Sequence, residues 1–83
     1  MANFICKIDR IGVNPSGGAA IALTNTEGHF DSKWFNIPQG ATREMLAGAL
    51  MAMSNRFIVR IDVDLGHPDW PPINWLEVCN DKY

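Results

Sequence analysis

The chain has few of the residues that mark a catalyst, a metal centre or a nucleic-acid surface. Its 83 residues include two histidines, His29 and His67, and two cysteines, Cys6 and Cys79. The cysteines are too far apart in sequence for a Cys-x-x-Cys redox or zinc motif. Neither histidine has a ligand partner at a recognised spacing, so no metal and no cofactor is expected. Nucleophile signatures of the Gly-x-Ser-x-Gly kind are missing, and nothing places a cysteine beside a base. Basic clustering is also missing. The seven Lys and Arg are scattered from Lys7 to Lys82 against nine Asp and Glu, for a net charge of -2. This argues against nucleic acid as a partner, because a nucleic-acid footprint is a basic stripe. No apolar run approaches the roughly 18 residues that span a bilayer. MANFICKIDR alternates polar and apolar residues instead of leading a charged start into an apolar segment. The expected address is the cytoplasm, or outside the cell if a leader has been removed.

What is present is an ordinary globular mixture, 47% hydrophobic and 19% charged, with no low-complexity tract. The expectation is one domain over residues 1–83, with a thin core, since a chain this short buries only roughly 60–65% of its unfolded surface. Phe4, Cys6 and Ile8 alternate as a strand. Ile11 and Val13 then fall on the opposite phase, which predicts a bulge near Arg10 to Gly12 before the turn NPSGG. No Gly-Lys-Ser/Thr follows that turn, so it reads as a hairpin loop and not a phosphate cradle. AAIALTN, TEG and HFDSKWFNI read as strand, tight turn and strand. TREMLAGALMAMSN reads as a helix, with Thr42 as N-cap, Asn55 as C-terminal stop and Leu46, Ala49, Leu50 and Met53 on the core face. In FIVRIDVDL the residues Phe57, Val59, Ile61, Val63 and Leu65 point inward, with Arg60, Asp62 and Asp64 in water. INWLEV is the last strand and CNDKY a polar tail. The result is a small α+β fold of order β-β-β-α-β-β, either a five-stranded OB-like barrel or a curled antiparallel sheet.

Two stretches carry functional expectations. MLAGALMAM, Met45 to Met53, has no polar side chain over nine residues, whereas a surface helix should show one wet face. One sheet covers one side only, which leaves Ala47, Gly48, Met51 and Ala52 as a candidate self-association face; toleration of a small-residue face in solvent is the alternative. GHPDWPPINW concentrates three prolines and two tryptophans. Trp75 is expected in the core or against the helix. Trp70, flanked by Asp69 and Pro71 in a stiff loop, is a candidate ligand platform, with His67 and Asp69 supplying hydrogen bonds and Trp34 as a second aromatic. Capping the barrel end or docking on a neighbouring subunit is the competing role for Trp70. Solvated carboxylates explain Asp62 and Asp64 better than an acid pair does. Both cysteines read as small buried hydrophobes, with a staple between the first and last strands as the alternative.

KWFNIP, REMLAGALMAMSNRFIVRIDVD and INWLEV together resemble the B subunits of bacterial AB5-type toxins and their small relatives. The resemblance runs from Lys33 to Val78. It implies an OB fold, ring assembly with helices lining the centre, and glycan binding on the outer faces. The functional expectation is a non-enzymatic, homo-oligomeric binding module for a glycan or another small polar ligand. The alternatives are a single-strand nucleic-acid-binding OB protein and a small-molecule enzyme with its site at a subunit interface.

Overall fold

The computed structural model describes residues 2–66 and 70–83. Five strands and one helix follow the order β1 (Ala2–Val13), β2 (Ala19–Asn25), β3 (Lys33–Ile37), α1 (Thr42–Asn55), β4 (Phe57–Val63) and β5 (Ile73–Lys82). Every neighbouring pair is antiparallel, in the spatial order β3-β2-β1-β4-β5. The sheet curls until its two edges approach, and β3 meets Pro72, the residue just before β5, in an isolated parallel bridge from Asn36. That bridge does not extend into a ladder, so the sheet stays an open curl and not a closed barrel.

The core lies on the concave face, where the strand alternation delivers it. Cys6 and Ile8 of β1, Ile21 and Leu23 of β2, Phe35 and Ile37 of β3, and Val59, Ile61 and Val63 of β4 are all buried. The helix closes this face, packing on β1, β4 and β5 with Ala49 and Ala52 fully buried beneath it. The bulge falls at Asp9, where the β1–β2 register shifts between Ile8 and Arg10. Slipping one residue there returns Ile11 to the core side, opposite Ile21. The Asp9 carboxylate accepts from the Thr24 hydroxyl at 2.5 Å and from the Ser32 hydroxyl at 3.1 Å, so the bulge is tied to the next hairpin.

Several local expectations are corrected. The third strand begins at Lys33 and not His29, because Asn25 gathers the preceding residues into a turn. Its side chain, 3% exposed, accepts from the Glu27 and His29 amides and donates to the Ile5 carbonyl. Thr42 is not the helix cap. A 3-10 turn over Gln39–Ala41 precedes α1, and the Thr42 hydroxyl donates back into that turn, toward the carbonyls of Pro38 and Gln39. At the other end Arg56, at φ 59, takes the left-handed position that reverses the chain directly into β4. Leu65 lies beyond β4 and is exposed, and Asp64 accepts from the Gly66 amide in a turn, so Asp62 and Asp64 do not share a strand face. The tail CNDKY is strand as far as Lys82, which pairs with Phe57. Cys6 and Cys79 are both free, and β4 stands between their strands in the sheet.

Candidate functional site

The convex face of the sheet carries the site. Along β2 the residues Ala20 and Ala22 point away from the core, yet they are 8% and 1% exposed. Trp34 accounts for this. It stands directly opposite Ala22 in the β2–β3 register, and its ring edge lies 3.7 Å from where a Cβ on Gly12 would be. The indole thus lies across a floor of small residues from β1 and β2. Larger side chains at those positions would lift it off the sheet.

Trp70 comes from the β4–β5 loop and stacks on Trp34, with ring centroids 5.4 Å apart and planes within 10°. Its backbone is at φ 46, a left-handed conformation that a bulky aromatic rarely adopts, and 46% of the residue remains exposed. The loop is tied to β3 at Asn36. The Asn36 side-chain amide donates to the Trp70 carbonyl at 2.8 Å, and its main-chain amide donates to the Pro71 carbonyl at 3.0 Å. Pro71 is fully buried beside this contact. Rigidity also comes from the β1–β2 turn, where the Asn14 carboxamide oxygen accepts from the Ser16 amide and hydroxyl and from the Gly18 amide.

These elements enclose a cleft of about 500 Å³. It is lined by the two indoles, by Asn14, Asn36 and Gln39, whose side chains carry amides, and by Val13 and the backbone side of β3 at Ile37. Among the described residues no charged side chain lines it. A flat ring with polar edges fits such a lining: the indoles offer planar apolar surface, and the amides offer both donors and acceptors at its rim.

No family model, curated protein or solved structure matches this chain.

Of the residues marked in the sequence as ligand contacts, Trp34 and Trp70 come together in this cleft. His67 and Asp69 lie outside the described residues. The other lining residues did not stand out in the sequence, and two of them, Asn36 and Gly12, hold the indoles in place. Asn36 sits in the unremarkable string FNIP, and Gly12 is recognisable only through the phase of small residues opposite the core phase, Gly12 with Ala20 and Ala22. Trp75 is corrected. It is not in the core but 56% exposed on the convex face, where its indole N–H donates to Glu77 at 3.1 Å. Glu77 also pairs with Arg60 at 2.7 Å, and that contact holds its carboxyl below the usual carboxylate range.

The helix face is redrawn in part. Ala47 and Met51 are exposed, as their spacing implies, but Ala52 is fully buried against the sheet. Gly48 is half-buried, with Leu76 and Val78 of β5 only 3.7 Å from its missing Cβ. Leu50, assigned to the core from its spacing, is 46% exposed instead. The outward apolar strip of α1 is therefore Ala47, Leu50 and Met51.

Proposed function

We propose that the protein is a non-enzymatic binding module of OB type, homo-oligomeric through the outward strip of α1, with a glycan or another small polar ligand seated in the Trp34–Trp70 cleft. The strand order and the isolated bridge from β3 to the residue before β5 support a partly open OB sheet. In that fold the face of the second and third strands, with the loops joining strands one to two and four to five, takes up oligosaccharides and oligonucleotides. The cleft lies on that face. The observation that carries the reading is the stacked Trp34–Trp70 pair over an uncharged, amide-rimmed hollow. Stacking on a tryptophan is sequence- and charge-tolerant, and the lining favours a neutral ligand over a phosphate backbone.

The test is a screen of neutral and charged glycans, followed by titration of the best binder against Trp34→Ala and Trp70→Ala. Trp70→Ala is expected to weaken binding by about 1–3 kcal/mol, the scale of one ring stacked on an aromatic, and Trp34→Ala to weaken it by removing the ring on which Trp70 rests. Unchanged affinity in both variants removes the cleft from consideration. Tight, steeply salt-dependent binding of a single-stranded oligonucleotide, with no glycan bound, overturns the ligand class.

A further inference from the structure

The two tryptophans of the cleft are held in different ways. Trp34 is borne by a sheet strand and bedded on Gly12 and Ala22. Trp70 is borne by a loop, half exposed, with its own backbone in a conformation that costs on the order of 1–3 kcal/mol for a non-glycine residue. Something must hold it there. Stacking on Trp34 supplies part of the restraint, and the hydrogen bonds to the Trp70 and Pro71 carbonyls add to it. Both of those bonds come from Asn36. Its main-chain bond persists in any non-proline residue. The side-chain bond to Trp70 requires a donor at a fixed short reach, which a carboxylate of the same shape does not provide.

We infer that Asn36 is the positioning residue of the site: its side chain latches Trp70 over Trp34, so the ligand meets a wall that is already assembled. The inference rests on the binding reading for its consequence and on the indole geometry for its content. Where the competent form is only a fraction of the population, apparent affinity falls by that fraction. Loss of one neutral hydrogen bond is expected to shift the latched population enough to weaken binding roughly two- to tenfold.

The latch is tested first without ligand. Two indoles stacked this closely give an exciton couplet in circular dichroism, and Trp34→Phe and Trp70→Phe identify it by abolishing it. Asn36→Ala and the isosteric Asn36→Asp are expected to diminish the couplet while leaving the urea midpoint close to that of the parent. A couplet of parental strength in Asn36→Asp overturns the latch. So does a loss of couplet that merely follows loss of fold in both variants. Maltotriose then serves as the neutral probe. Weaker binding by both Asn36 variants, with Asn36→Gln recovering part of the couplet and the affinity together, supports the positioning role. Parental affinity in a variant that has lost the couplet overturns it. If the parent binds neither maltotriose nor any other neutral glycan, the binding reading fails, and the couplet alone decides whether Asn36 holds the two rings together.

Discussion

At the scale of single residues, the core contains two side chains whose chemistry differs from the hydrocarbon around them. Asn25 is the only polar residue fully buried among those described, and it is tolerated because both ends of its amide are used: two main-chain N–H groups donate to its oxygen, and its nitrogen serves the Ile5 carbonyl. Cys6 is fully buried next to it. Burial pushes its thiol from 9.0 up to about 12; the Asn25 hydrogen bond opposes the shift and Asp9 adds to it. The folded state therefore keeps the Cys6 proton to higher pH than the unfolded chain does. The associated stability is fully present below pH 9 and is lost as pH rises toward 12, with a slope of at most about 1.4 kcal/mol per pH unit for one proton. Urea unfolding below and above pH 9 should show the parent losing more stability than Cys6→Ala across that window. Parallel profiles would mean that the thiol does not ionise differently on unfolding. Asn25 was not legible in the sequence as a structural residue, since an asparagine at a strand end looks like any turn former. What marks it is the set of amides that the turn aims at it.

At the scale of elements, local pattern was most informative where one segment decides its own form. The span of α1 is that of TREMLAGALMAMSN, and β2 is AAIALTN, because period and flanking turn residues set both. Pattern failed where a distant segment supplies the partner. CNDK carries no alternation of its own, and it becomes strand because Phe57 and its neighbours offer a free edge. Leu50 and Ala52 exchanged expected roles for a related reason. Spacing defines a helix stripe, but the sheet's curl chooses which side of the stripe it covers, and here β5 reaches under Gly48 while Ala52 is fully buried. Gly48 offers a direct check on this packing. An added Cβ would meet Leu76 and Val78 at ordinary contact distance, 3.7 Å, while removing the roughly 1 kcal/mol cost of glycine inside a helix. Gly48→Ala is therefore expected to raise the melting temperature by about 4–8 °C for a domain of this size. A lower melting temperature would place α1 nearer to β5 than the structure does.

At the scale of the whole molecule, the unpaired apolar strip of α1 and the cleft lie on different faces, the helix on the concave side of the sheet and the indoles on the convex side. Self-association through Ala47, Leu50 and Met51 would leave the cleft open to ligand. Light scattering at two concentrations is expected to give a mass above that of one chain, and Leu50→Asp with Met51→Asp to return it to one chain without loss of helix content. A parent that runs as a single chain at both concentrations would remove the helix interface and leave the cleft as a monomer's site.

Alternation and helical spacing alone determined the number, type and order of elements, because each reflects a periodicity of 2 or 3.6 residues that the chain carries locally. The sequence also singled out Trp70, in a proline-stiffened loop, with Trp34 as a second aromatic on a strand, without saying which way Trp34 faces. Only the tertiary structure decided that the two rings meet. Their contact depends on the curl that brings β3 to the loop before β5, and curl combines strand twist, the bulge at Asp9, the register shifts of the β4–β5 pair and the bridge at Asn36. The phase slip in β1 announces a bulge close to that place, but twist and the bridge have no period, and the cleft exists only once the sheet has folded over its helix.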